Sequence, residues 1–228
     1  MNKPNLDARL LAAAKFVREG AYACDIGTDH AYLPVYLVLI GRASRALASD
    51  INKGPVMRAK ESVAKYGVND KIDVVLSDGL RGAEGYPVTD IIIAGMGGEL
   101  IASILEDAKW VKNEKYRLIL QPMTHAEILR KYLADNGFSV IDEDMVKDTG
   151  NNKIYQIICA EFTGRTEDYT TDELYLGRYN IARGGEVLSE LCARLKKINL
   201  EIKRAKSSAG QSTSAEDEII AVADKYLR

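Results

Sequence analysis

The 228-residue chain has few cysteines, few histidines and no long hydrophobic run. No apolar segment approaches the roughly 20 residues needed to cross a bilayer, so no membrane span is expected. The N-terminus lacks the basic-then-apolar layout of a signal peptide, and a cytoplasmic location is expected. Cys24, Cys159 and Cys192 are scattered without a C-x-x-C spacing, which argues against zinc or thiol-redox chemistry. Cys24 and Cys159 read as buried strand thiols. The two histidines, His30 and His125, are too few and too far apart to suggest a metal site, so no metal is expected. An excess of one charge is also missing: 31 basic residues stand against 33 acidic ones, a net charge of −2. What is present, 46% hydrophobic and 28% charged residues, suffices for one good core and a smaller appendage.

Strand and helix patterns alternate along most of the chain. Helical apolar spacing runs from Leu6 to Glu19, and Ala21–Ile26 reads as a buried strand followed by a helix from about Ala31 through Ile40. Asn52 is a candidate N-cap for a helix through Tyr66, stopped by Gly67. Strands are expected at Arg45–Ser49, Ile72–Ser77, Asp90–Gly95 and Tyr116–Gln121. The continuous apolar run DIIIAG marks the third of these as central and buried on both faces. Gly97 and Gly98 turn into a helix from Glu99, and Thr124 is a candidate cap for one running to Asn136, with Gly137 as its stop. Phe138–Val146 and Ile154–Phe162 lack a helix between them and should form an antiparallel edge hairpin. The expected fold is α/β, a Rossmann-like, mostly parallel sheet covered on both faces.

The stretch AYACDIGTDHAYLP, residues 21–34, places a strand, an acid, one glycine and a polar turn before a helix. Ligands of such units sit at the carboxyl end of the strand, beside the helix N-terminus. A dinucleotide fingerprint needs G-x-G-x-x-G, and only Gly27 fits it. Asp29 and Tyr32 occupy the other two glycine positions, and a carboxylate there opposes an arriving pyrophosphate. A cofactor without phosphates that carries an ammonium and a sulfonium suits the loop, and S-adenosylmethionine (SAM) is the common example. Asp50 closes the next strand at a spacing where an acid meets ribose hydroxyls, and Asp78, in SDGL, can reach an adenine amino group. Any one of these aspartates alone is more often a solvated turn residue. Three acids ending three successive strands make that reading much weaker.

Beyond Phe162 the pattern changes. Leu188, Leu191, Leu195, Ile198, Ile202 and Ala205 recur at spacings of three and four, a helical seam. Ser207–Ala215 breaks it before a short helix from about Glu216, so an antiparallel helical hairpin is expected, with a dimerising coiled coil as the alternative. The seam is short, which points to a monomer or a weak dimer. Between Arg178 and Lys206 eight bases stand against three acids. This stretch can face RNA phosphates, although charge alone favours a solvated helix face.

The motifs DIGTDHAYLP, SDIN, SDGL, AGMGG and QPM, in this order and spacing, closely resemble the bacterial tRNA (adenine-22-N1)-methyltransferase family. The resemblance covers nearly the whole chain and is strongest over its first three quarters. It implies a class I SAM-dependent methyltransferase unit, residues 1–163, and a helical unit, residues 164–228, that contacts tRNA. It also implies methyl transfer to N1 of an adenine. The expected SAM contacts are Arg9, Asp25, Gly27, Thr28, Asp29, Asp50, Ile51, Asp78, Gly79, Gly95 and Met96. Many enzymes that methylate an exocyclic adenine amino group carry an Asn/Asp-Pro-Pro-aromatic loop after the fourth strand. Here Ala94-Gly95-Met96-Gly97-Gly98 offers no side-chain acceptor, which suits a ring nitrogen.

Asp29 is the first candidate for catalysis, as a base or only as a SAM contact. His30 is a weaker one, equally readable as a loop-bonded helix-terminal histidine. Tyr32 stacks on the target base or packs under the loop. Gly97, Gln121 and Met123 are expected at the base pocket, and Arg194, Lys197, Lys203 and Arg204 at the tRNA surface. On these expectations, removing residues after Phe162 keeps SAM binding and abolishes tRNA methylation. The alternatives are a small-molecule methyltransferase and a non-catalytic SAM- or RNA-binding module. A nicotinamide enzyme is disfavoured by the missing glycines.

Overall fold

The computed structural model describes residues 3–227. Helix α1 (Ala8–Phe16), capped by Asp7, leads into β1 (Ala21–Ile26), α2 (Tyr32–Leu39), β2 (Ala43–Asp50), α3 (Lys53–Lys65) and β3 (Ile72–Leu76). Then follow β4 (Asp90–Met96), α4 (Gly98–Asp107), β5 (Arg117–Pro122), α5 (Ala126–Asp135), β6 (Phe138–Asp148) and β7 (Lys153–Phe162). The sheet order is β3-β2-β1-β4-β5-β7-β6. The first five strands pair in parallel, and β7 runs antiparallel to both β5 and β6. This is the Rossmann-like sheet with an antiparallel edge hairpin that the strand grammar suggests.

Alternation within the central strands divides the core in two. Ala23, Ile92 and Ile119 face the layer holding α1, α2 and α3, while Cys24, Ile91, Ile93, Leu118 and Leu120 face the layer with α4 and α5. Because both faces are covered, these strands read as unbroken apolar runs. The parallel strands aim their carboxyl ends at one edge, which gathers the loops after β1, β2, β3 and β4.

Local details differ from expectation. Asn52 occupies the N-cap position of α3 but makes no side-chain cap bond; its N–H donates to Asp50 Oδ1 at 2.8 Å. Thr124 does not cap α5. His125 precedes that helix with φ +54°, and the Thr124 carbonyl accepts the Gly98 N–H at 2.8 Å, so the residue ties two loops together. A Cβ on Gly98 would lie 2.1 Å from the His125 carbonyl oxygen, so the two loops can meet only at a glycine.

Beyond β7 lie α6 (Thr171–Leu176), α7 (Arg178–Arg183), α8 (Glu186–Ser208) and α9 (Ser214–Tyr226). Helices α6 and α7 were not anticipated, although Thr170 and Glu173 form a capping box. Helices α8 and α9 form the expected antiparallel hairpin, stitched by ion pairs Lys196–Asp224, Lys203–Asp217 and Lys206–Glu216. Its seam follows the expected one at Leu188, Leu191 and Leu195, which belong to the core of this unit, and departs from it beyond them. Leu188, Cys192 and Asn199 are buried, whereas Ile198 and Ile202 are 52% and 40% exposed and Ala205 is also exposed. The buried line is displaced around the helix because α8 packs on both α9 and β6.

Candidate active site

The loop after β1 turns sharply at Gly27, whose φ of +77° favours glycine. The Gly27 and Thr28 N–H groups both donate to the Ser49 carbonyl, at 2.8 and 2.9 Å, which fixes the loop against β2. A Cβ on Gly27 would lie 2.3 Å from Met96 Cε, so the loops after β1 and β4 close on each other here. Arg9, Asp25, Gly27, Thr28, Asp29, His30 and Tyr32 line one cleft of about 190 Å³. Asp25 is only 7% exposed, and burial, with Asp50 nearby, pushes its carboxyl up to about 6 against the opposing influence of Thr28 and Arg9.

Behind the cleft, Gln121 organises the loop after β4. Its side chain is fully buried, and Oε1 accepts from the Gly95 N–H and from Arg9 Nη1, each at 3.1 Å. Nε2 donates to the Pro122 carbonyl at 2.8 Å. Gln121 therefore lies beneath the pocket rather than in its lining, because every polar atom of its amide is engaged inside the protein. Arg9, thus held, crowds Gly95: a Cβ there would lie 3.0 Å from Arg9 Nη1. The Met123 N–H donates to the Met96 carbonyl at 2.8 Å, and the Met123 side chain is exposed and is not among the residues lining the cleft. Gly97 stands at the N-cap of α4, where its carbonyl accepts the Ile101 N–H.

Two hydroxyls test whether the residues suit a SAM-like ligand. Both are buried: Ser49 Oγ lacks a hydrogen-bond partner among the described residues, and the Thr28 hydroxyl faces the Asp25 carboxyl. These two residues meet where the loop after β1 is bonded to β2, the place at which an α/β sheet of this kind receives a polar ligand. Together with Asp25, Asp29 and Asp50, these oxygens form a set of acceptors that fits a cofactor with hydroxyls and positive charge. The other expected contacts are more spread out. Ile51 is exposed beside Asp50, while Asp78 and Gly79 border a separate hollow of about 110 Å³ that also includes Ile104 and Trp110. Asp78 pairs with Arg81 at 3.6 Å.

At the mouth, Asp29 is 61% exposed and its carboxylate meets the Arg58 guanidinium from α3. Its other oxygen lies 3.4 Å from His30 Nε2. The His30 ring stacks on Tyr32 at 5.1 Å between centroids with a 16° interplanar angle. Arg58 was missed in the sequence, since nothing local marks one arginine of a surface helix as the partner of a loop acid 29 residues earlier.

The helical unit is less basic than its sequence window suggests. Of the eight cations between Arg178 and Lys206, six are paired with acids: Arg178, Arg183, Arg194, Lys196, Lys203 and Lys206. Among the four expected tRNA contacts, Arg194 pairs with Glu190 and Lys203 with Asp217, while Lys197 and Arg204 have no acidic partner among the described residues. Over residues 164–228 bases and acids are equal in number.

A buried clasp joins this unit to the sheet. Arg130, fully buried on α5, donates to Glu143 Oε1, the Leu174 carbonyl and Gln156 Oε1, each at 2.7 Å. Glu143 Oε2 accepts the Tyr179 N–H at 3.1 Å. A Cβ on Gly177 would lie 2.5 Å from both Glu143 carboxylate oxygens, so the chain passes the clasp only as glycine. Cutting after Phe162 would leave Arg130 paired with Glu143 and Gln156 but remove the Leu174 carbonyl and the Tyr179 N–H that complete this buried cluster, so truncation is a poor test of the helices' role.

A methyltransferase-domain family model matches residues 6–158. The tRNA (adenine(22)-N(1))-methyltransferase of Bacillus subtilis (strain 168) is 42% identical over 177 residues, spanning 78% of this chain and 74% of that protein. The crystal structure of the B. subtilis m1A22 tRNA methyltransferase superposes with a TM-score of 0.83 at 34% identity, over 97% of this chain and 96% of that one. A Streptococcus pneumoniae protein, described as a candidate tRNA (m1A22) methyltransferase and solved with S-adenosyl-L-methionine, superposes with a TM-score of 0.86 at 31% identity. That match covers 98% of this chain and all of the other.

Proposed function

Since the chain belongs to the tRNA (adenine(22)-N(1))-methyltransferase family, a group of SAM-dependent enzymes, we propose that it transfers a methyl group to N1 of adenine 22 in tRNA. The observation that carries the choice of atom is the loop after β4. It has no side-chain acceptor for an amino group, and its Met96 and Gly97 carbonyls already accept from Met123 and Ile101. A ring nitrogen needs no acceptor, because its lone pair attacks directly.

When bound, SAM supplies an electrophilic methyl on a sulfonium. In this reading Asp50, whose Oδ1 accepts the Asn52 N–H, takes the ribose hydroxyls on its other oxygen, and Asp25 puts negative charge beneath the cationic end. Arg9, braced by Gln121, is positioned for a carboxylate. Good orientation of the two reactants contributes about 7–11 kcal/mol to such a step. Methylation of N1 leaves positive charge on the adenine, and Asp29 at the mouth stabilises it and accepts the N6 proton. Such base assistance is typically worth about 10²–10⁴ in rate. His30 and Tyr32, stacked beside Asp29, offer an aromatic surface to the base.

N1 lies on the Watson–Crick edge, so the enzyme takes an unpaired or extruded adenine. In this reading residues 1–163 hold cofactor and base, and residues 164–228 give part of the RNA contact through Lys197 and Arg204. The protein works in the cytoplasm as a monomer or weak dimer. Among the described residues no helix is long and apolar enough to cross a membrane, and no cluster of His, Cys, Asp or Glu is placed to hold a metal ion.

The test is transfer of labelled methyl from SAM to unmodified bacterial tRNA, followed by nucleoside analysis. Label in 1-methyladenosine is expected. Label in another nucleoside would move the site, and SAM binding without any RNA labelling would favour a small-molecule substrate or a binding module.

A further inference from the structure

The least neutralised cationic surface beside the cleft lies on α3 rather than on the helical hairpin. Helix α3 carries Lys53, Arg58, Lys60 and Lys65 against a single acid, Glu61. Its buried line is Val56, Ala59, Ser62 and Val63, so all four cations fall on the opposite, exposed arc. Lys53 and Lys60 share one line along that arc with the exposed Met57 between them, and Arg58 and Lys65 share the neighbouring line. Lys53 and Lys60 have no acidic partner among the described residues. Arg58 has one, and it is Asp29 at the cleft mouth.

That pair is open to exchange. The Arg58 and Asp29 side chains are 44% and 61% exposed, and exposed ion pairs contribute little to stability. A guanidinium binds phosphate in a bidentate, charge-assisted geometry. An RNA that presents an unpaired base to the cleft must carry its backbone across the rim, where Arg58 touches the Asp29 carboxylate. We propose that the outer face of α3 is a resting surface for the RNA backbone next to the target base. On docking, Arg58 leaves Asp29 for a phosphate, and the Asp29 carboxylate is released toward the adenine. This inference rests on the reading of the substrate as RNA.

The test uses the full chain, unmodified tRNA and a salt series, with SAM affinity measured in parallel. Arg58→Ala and the double variant Lys53→Ala/Lys60→Ala change only exposed side chains and should fold and bind SAM as the wild type does. The slope of log affinity against log salt should become shallower by about one for Arg58→Ala and by about two for the double variant. Arg58→Lys, which keeps the charge, should restore most of the slope but only part of the methyl transfer rate. Wild-type binding with unchanged affinity and slope in both alanine variants overturns this inference alone. A wild-type protein that binds SAM but no tRNA overturns the substrate reading and this inference with it.

Discussion

The cleft and the helical hairpin treat their charges in opposite ways. At the cleft, Asp25 is buried beside the Thr28 hydroxyl with its carboxyl pushed up to about 6, and the Ser49 hydroxyl behind the loop has no hydrogen-bond partner among the described residues. In the hairpin, acids of α9 neutralise one flank of α8, and Arg178, Arg183 and Arg194 find acids elsewhere. Unpaired buried atoms occur in both regions, Tyr169 Oη and Glu216 Oε2 in the helical unit included, so the contrast lies in the charges: the cleft gathers acids at one strand-end loop, whereas most charges of the hairpin neutralise one another. A surplus of lysine and arginine counted along one helix therefore overstates what the folded surface offers to RNA.

The strongest way to sharpen this contrast is Asp29→Asn, which should lower the single-turnover methyl transfer rate by about 10²–10⁴ while SAM affinity changes only a few-fold. A loss confined to SAM affinity would make Asp29 a cofactor contact. Next in size is the clasp, where breaking a buried ion pair by removing one partner costs about 3–5 kcal/mol. Arg130→Met should lower the denaturant midpoint accordingly, and Arg130→Met with Glu143→Leu should recover much of the loss. A single variant as stable as the wild type would show that the helices are not anchored through this pair.

Asp25 gives a pH test. A bound cation favours the ionised carboxylate, so SAM affinity should fall about tenfold between pH 7 and pH 5 as the group protonates, and Asp25→Asn should flatten that profile. For the ligand-free protein the sign is reversed. A carboxyl raised above its unfolded value adds stability below that value and loses it as pH rises through about 6. Asp25→Asn should therefore raise the melting temperature at pH 8. The smallest effect is expected on the hairpin. Lys197→Ala/Arg204→Ala should weaken tRNA binding and reduce its salt slope by about two, whereas Lys196→Ala/Lys203→Ala, which removes internally paired cations, should leave the slope nearly unchanged.

The same contrast explains what could be read without a structure. Asp25, Gly27, Thr28, Asp29, His30 and Tyr32 lie within eight residues on one strand-loop-helix unit, so their convergence on one cleft is local and legible. The unbroken runs of β4 and β5 mark the sheet centre for the same reason. Arg58 with Asp29, Gln121 with Gly95, and Arg130 with Glu143 are pairings across the fold, and no local period encodes them. Ile198 and Ile202 fit the expected seam by spacing, yet α8 packs on two neighbours and turns a different line inward. The Thr170–Glu173 capping box was readable and would have revealed α6.

The account turns on a ring nitrogen as the methyl acceptor. Its most direct test compares a tRNA carrying adenine at position 22 with one carrying 1-deazaadenine there, in which a C–H replaces N1 and the amino group is kept. We expect methyl transfer to the first and none to position 22 of the second. Methylation of the deaza base at its amino group would contradict the account.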